Sequence, residues 1–320
     1  MIEVAGLVLP FFGLILIGYI TARLSNQSKE AMGCLSTFII YLALPALFFK
    51  LLSKTPVEKL ASWDFVLGST SATFAVFVLT FGLAKLVRRA SVQDSTIQGL
   101  AGAYGNIGYM APGLAILTFG EKAAVPVALI FCFDNVMHFT VAPTMMALAG
   151  TEKRSPVQLM LKIARSILFH PFIIATILGV GAAIIHFVPP VPVERLIDYL
   201  AQAAAPSALF AMGVTLALNP LKRVPVELSF IVPIKLIVHP IIVYVVLSWV
   251  GHFDATWVFT AVLLASLPTA TNVFVLAQQY DFWVERASAC ILITTLFSVF
   301  SVSALLYAIT TGLIPVDLFP

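Results

Sequence analysis

Charge is what this sequence has least of. Only 10% of its 320 residues are Asp, Glu, Lys or Arg, and 60% are hydrophobic. A soluble domain carries roughly 25% charged residues. No soluble fold of this size hides so much apolar surface, and the mean hydropathy of +1.03 specifies a polytopic membrane protein. The net charge of +3 is too small to point to nucleic acid. Cysteine is nearly absent too. Cys34, Cys132 and Cys290 are isolated in apolar surroundings and match neither a disulfide framework nor a metal spacing. There is no Gly-x-Ser-x-Gly, no His-Glu-x-x-His and no second membrane carboxylate beside Asp134, which argues against an intramembrane enzyme. No Gly-Lys-Ser/Thr phosphate loop is present, so this chain holds no ATP motor. No cofactor is expected. The N-terminus does not read as a cleavable leader. Glu3 stands where a basic region belongs, and the apolar run continues to Leu24.

Long apolar runs are abundant. A spanning helix needs about 20 predominantly apolar residues. Ten candidates fit: about 3–24, 32–52, 64–87, 95–118, 123–149, 166–188, 196–218, 228–250, 256–279 and 286–313. The gaps are short, with residues 150–165 expected as a cytoplasmic loop. Twelve basic residues follow the odd-numbered spans, including Arg23, Lys29, Lys85, Arg88, Arg89, Lys153, Arg154, Lys162, Arg165, Lys222, Arg223 and Arg286. The other side carries Lys50, Lys54, Lys59, Lys122 and Arg195. The positive-inside rule then predicts a cytoplasmic-membrane protein with both termini outside.

The chain also repeats itself. Pro10 and Pro171, Gly18 and Gly179, and Pro45 and Pro206 are each 161 residues apart. The expected fold is all-α, with ten transmembrane helices arranged as two five-helix repeats, 1–150 and 151–320. An odd number of helices per repeat inverts the second copy, an arrangement characteristic of secondary transporters. The fourth and ninth helices would then correspond, and both are interrupted. The fourth contains "YGNIGYMAPG", with Gly105, Asn106, Gly108 and Pro112; the ninth contains "LPTATN", with Pro268, Thr269, Thr271 and Asn272. Gly costs about 1 kcal/mol and Pro about 3 in a helix interior. Non-helical backbone at membrane depth survives only where protein or water satisfies it. Two crossing breaks, each opening a half-helix N-terminus where a negative charge is favoured, would form one anion site.

At these residues the sequence resembles the auxin efflux carrier family, which includes plant auxin exporters and bacterial permeases proposed to carry malonate or malate. The matching residues are Asn106, Gly108, Tyr109, Pro112 and Leu114 in the fourth helix, and Pro268, Phe274, Ala277 and Tyr280 in the ninth. Lys235 with Pro240 and Asn219 with Pro220 complete the match. One departure is that Met110-Ala111-Pro112 follows Asn106 at a shorter spacing than the family's Gly-x-Pro. The resemblance implies a scaffold of about 1–52 and 166–218, which often dimerises. It implies a transport domain of about 64–149 and 228–313, with alternating access and a small carboxylate as substrate. Asn106 is the residue to which the family's anion contacts carry over.

Ionisable residues inside spans default to functional hypotheses. Asp134 and His138 lie four apart on one helix face, with Asn135 beside them. Together with Lys235 they are the candidate coupling residues, for a proton or for sodium. Structural readings stand beside each. Asp134 and His138 could fasten their helix, Lys235 could snorkel to the interface, and Thr269 and Thr271 could repair backbone freed by Pro268. His239 before Pro240 and His170 before Pro171 read as helix-kink and helix-start residues. The alternative to an organic-anion transporter is a sodium-coupled symporter of the bile-acid type; an intramembrane enzyme and a channel rank lower. No metal site is expected.

Overall fold

A computed structural model describes residues 2–25, 31–56, 62–150, 155–218 and 224–319. The basic Lys29, Lys59, Lys153, Arg154, Lys222 and Arg223, and the pair Asn219 and Pro220, lie outside the described residues. Every named element is helical, and the one extended pairing among the described residues is an isolated bridge between Gly105 and Thr269. Helices follow from the solvent: without water in the hydrocarbon layer, each backbone group must find its partner within its own segment. Among the described residues, six helices are long and apolar enough to cross a bilayer. Leu9–Leu24, Pro171–Ile184 and Ala255–Ser266 are shorter apolar helices.

The chain divides into two compact units. The first comprises residues 1–62, 109–132 and 168–220. It contains α1 (Ile2–Leu24) and α2, which runs from Ala31–Phe38 through a π-helical turn at Ile39–Ala43 into Leu44–Ser53. The second comprises residues 63–108, 133–167 and 221–320. It contains α3 (Trp63–Leu86) and α4 (Val92–Ala103). Helix α5 (Ala111–Phe119) belongs to the first unit. Helix α6 (Ala124–Leu148) gives its first turns to the first unit and the rest, from Phe133, to the second. Helix α7 (Pro156–Leu168) ends at the next change of unit. The first unit is completed by α8 (Pro171–Ile184) and α9 (Val191–Leu218). The second continues with α10, which runs from Leu228–Pro233 through a π-helical turn at Ile234–Val238 into His239–Val250. Then come α11 (Ala255–Ser266), α12 (Thr271–Tyr280) and α13 (Val284–Thr310).

In the first unit α1 packs on α9, and α8 on α2. Both pairs approach through glycine. A Cβ on Gly18 would strike the carbonyl of Phe210, and one on Gly213 the carbonyl of Ile15. A Cβ on Gly179 would lie 3.3 Å from the Phe49 backbone. Small residues let helices approach backbone to backbone, which drives association where lipid tails are as apolar as leucine. The ion pairs Lys50–Asp198 at 2.8 Å and Lys54–Glu194 at 3.0 Å join α2 and the residue after it to α9.

The second unit packs α4 and α10 against α3, and α11 against α10. A Cβ on Gly99 would lie 2.7 Å from the Phe77 ring, so α4 too sits close on its neighbour. Its core gathers Val76, Ile97, Leu100, Tyr104, Ile231, Val273, Ala277 and Cys290.

One expected boundary moves. The apolar run 166–188 does not form one helix, and residues 150–165 are not all loop. Helix α7 spans Pro156–Leu168, and a new helix starts at Pro171. The residue before a proline is pushed out of the α region. His170 accordingly has φ −69° and ψ 129°, and its Nδ1 accepts from the Phe172 N–H at 3.4 Å as a helix cap.

Candidate functional site: two interrupted helices meeting in the second unit

Helices α4 and α11 are both 12 residues long and both start on a side-chain cap, Ser91 for α4 and Asp254 for α11. Each stops short because the following residues cannot continue it. After Ala103 come Gly105 and Gly108; after Ser266 comes Pro268. The two stretches bond to each other. The Asn106 N–H donates to the Pro268 carbonyl at 2.7 Å, and the Ala270 N–H donates to the Tyr104 carbonyl at 2.9 Å. This short antiparallel pairing satisfies groups that hydrocarbon would leave unpaired, at several kcal/mol each. The carbonyls freed at the two helix ends are answered by side chains from outside their own helix. The Thr269 hydroxyl donates to the Ala101 carbonyl at 2.8 Å, and Lys235 Nζ donates to the Ala265 carbonyl at 2.6 Å. The Thr269 N–H is taken by Thr294 Oγ1 at 3.2 Å.

Gly105 sits at the centre. A Cβ there would lie 3.1 Å from the Leu264 carbonyl and 3.3 Å from Lys235 Nζ, so any side chain would crowd the lysine. Asn106 is buried, at 1% exposure. Tyr104 organises the flank. Its hydroxyl donates to Asn135 Oδ1 and accepts from Asn272 Nδ2 at 2.8 Å. Its ring stacks on His138, with centroids 4.0 Å apart and planes 8° apart. Both ring nitrogens of His138 are buried without a hydrogen-bond partner among the described residues, and so is Asp134 Oδ1. The other carboxylate oxygen, Oδ2, accepts from Thr73 Oγ1 at 3.2 Å. An unmet buried polar atom costs about 1–3 kcal/mol, a cost that a polar ligand beside it would relieve.

Most residues singled out in the sequence thus gather in the second unit: Gly105, Asn106, Pro268, Thr269, Asn272, Asp134, Asn135, His138 and Lys235. Gly108 ends the second unit's share of the fourth run, and Thr271 opens α12. Pro112 belongs to the first unit, in the first turn of α5. Lys235 does not snorkel: it is fully buried in the π-helical turn of α10. π-turns of this kind occur often at functional sites. Asp134 and His138 share a helix face; the carboxylate turns to Thr73 and the imidazole to the Tyr104 ring. Three contributors escaped the sequence reading: Tyr104, Thr73 and, as more than a kink residue, His239. The signal for Thr73 was the small-polar run "GSTSAT" inside an apolar span.

Among the described residues the named elements are all helical, six helices are long and apolar enough to cross a bilayer, and two interrupted helices pair through an isolated bridge, as a multi-pass membrane protein requires. The family model described as "Membrane transport protein" matches residues 4–306, and the chain belongs to that family, as the resemblance in its broken-helix motifs implied. It is 64% identical over 320 residues to a Rhizobium meliloti (strain 1021) protein named "Putative malonate transporter", with both chains covered completely. It is 26% identical over 305 residues to an "Uncharacterized transporter" of Methanothermobacter thermautotrophicus, covering 92% of this chain and 94% of the other. It is 23% identical over 301 residues to "Uncharacterized transporter YfdV" of Escherichia coli (strain K12), covering 91% and 93%. These relatives carry the name of transporter, and this chain is a transporter, not an enzyme.

Proposed function

We propose that the protein is a secondary transporter that moves a small organic anion of the malonate or malate class across the cytoplasmic membrane by alternating access. The observation that carries this reading is the crossing itself: two helix breaks paired through Asn106 and Ala270, with the unpartnered polar atoms of Asp134 and His138 in the same unit. The bound carboxylate would meet Asn106, Asn272 and the N-terminal turn of α12 from Thr271, with Lys235 supplying positive charge. Further support comes from the relative named for malonate.

In this reading the chain is an inverted repeat of two five-helix halves. Gly18 meets Phe210 while Gly179 meets Phe49, so the same contact recurs with both partners displaced by 161 residues. The caps of α4 and α11 and the paired residues Gly105 and Thr269 repeat at nearly the same offset. Residues of about 1–52 and 166–218 would serve as scaffold, the dimerising part, and those of about 64–149 and 228–313 as the mobile part that carries the anion. Both termini would lie outside.

Uptake and counterflow in proteoliposomes test the function, against a panel of mono- and dicarboxylates with and without a pH or sodium gradient. Saturable malonate or malate counterflow supports it; no flux of any carboxylate overturns it. A sodium-dependent rate without pH effect would shift the coupling to the bile-acid type. Labelling of a cysteine at Gly150 from outside intact cells would overturn the topology.

A further inference from the structure

A chain of buried polar groups runs through the second unit beyond the crossing. Lys235 Nζ lies 3.0 Å from His239 Nδ1. His239 Nε2 lies 3.4 Å from Thr73 Oγ1, and Thr73 Oγ1 lies 3.2 Å from Asp134 Oδ2. Three helices contribute: Thr73 from α3, Asp134 from α6, and Lys235 and His239 from α10. All four residues are at most 5% exposed. His138 on α6 and Cys290 on α13 face this chain, and the Thr70 hydroxyl, one turn before Thr73, lies beside Asp134. Asp64, Lys85, Asp94, Asp254 and Glu285 lie at the ends of their helices.

A carboxylate or an ammonium alone at this depth is costly. Here the two are joined by a hydroxyl and an imidazole, each able to accept a hydrogen on one side and donate on the other. We infer that Asp134, Thr73, His239 and Lys235 form one proton-exchanging unit, which takes up a proton with each transported anion and relays it between carboxylate and amine. The inference rests on the transport reading above and names its coupling route.

The relay balances. A proton on Asp134 Oδ2 passes to Thr73 Oγ1 as Thr73 gives its own hydrogen to His239 Nε2. His239 releases the hydrogen on Nδ1 to a neutral Lys235 Nζ. The acid becomes carboxylate and the amine becomes ammonium. Thr73 is unchanged, and His239 has changed tautomer. A further proton taken up by Asp134 gives the unit a net charge of +1, offsetting one negative charge of the cargo. The ammonium end lies beside Gly105, where the anion would bind.

The test uses the full chain in proteoliposomes loaded with a pH-sensitive dye, with malonate as probe. Wild type is expected to acidify the lumen as malonate enters. Thr73→Val and His239→Gln are expected to lower the ratio of protons to malonate toward zero. Thr73→Ser, which keeps the hydroxyl, is expected to restore it. An unchanged ratio in both variants, or malonate entry without protons in wild type, overturns the relay. A second measurement needs no transport. The infrared band of the protonated Asp134 carboxyl, assigned by its loss in Asp134→Asn, is titrated in substrate-free bilayers. Lys235→Met and Thr73→Val are expected to move its midpoint by about one pH unit or more, about 1.4 kcal/mol. A fixed midpoint sinks the relay even where carboxylate flux is normal. A moving midpoint with no carboxylate flux leaves the relay standing and fails the transport reading instead.

Discussion

The two units solve opposite problems with the same helices. The first keeps its charges near helix ends, in the pairs Lys50–Asp198 and Lys54–Glu194, and closes its interior with Gly18, Gly179 and Gly213. The second buries Asp134, His138, Lys235 and His239 and interrupts two helices around them. A lipid-embedded helix pair gains little from burying more apolar surface, so the first unit gains cohesion by close approach. The second bears the desolvation cost of charge at depth, which is maintained only where the groups have a task. Cohesion and chemistry are thus segregated in one chain.

The glycine contacts should be the easiest part of that contrast to break. Gly213→Val puts a side chain into the Ile15 carbonyl and is expected to destabilise by more than about 4 kcal/mol, the range reserved for severe backbone or core clashes. Loss of the monodisperse peak in detergent chromatography checks it, and a normal peak would mean that α1 can slide away.

The buried charges come next. Lys235→Met leaves Asp134 without a compensating charge, and about 3–5 kcal/mol of stability should be lost, as when one partner of a buried pair is removed. Adding Asp134→Asn should return much of it. Thermal melts of the single and double variants decide the matter; additive losses would show that the two residues are independent.

Asn106→Ala should spare the fold and weaken substrate. An amide bonded to a carboxylate contributes about 1.5–3 kcal/mol, or roughly 10- to 150-fold in apparent affinity. Wild-type affinity for malonate in this variant would move the site away from the crossing.

The smallest effect belongs to Lys54 and Glu194, whose side chains are 63% and 36% exposed. Lys54→Ala should cost under about 1 kcal/mol, less still in high salt. A larger loss would mean that the first unit depends on its ion pairs after all.

The sequence made the breaks visible because Gly105, Gly108 and Pro268 carry their conformational preferences wherever they stand. It made the spans visible because length and apolarity are local. It hid the relay because hydrogen bonding is not local. Thr73 lies 61 residues from Asp134 and 166 from His239. Helix periodicity offered Asp134 only His138, its neighbour one turn on. It hid the start of α8 for a smaller reason: an apolar run does not show that the residue before Pro171 must leave the helix.

The glycine contacts also bear on how the chain is made. Gly18 is filled by Phe210, which follows it by 192 residues, and Phe49 waits likewise for Gly179. At roughly 5–20 residues per second, synthesis leaves Gly18 without its partner for about 10–40 s. During that interval α1 stands in the bilayer with a bare backbone groove. The contact that closes the groove therefore forms only after α9 is made, so the packing of α1 belongs to the late steps of assembly.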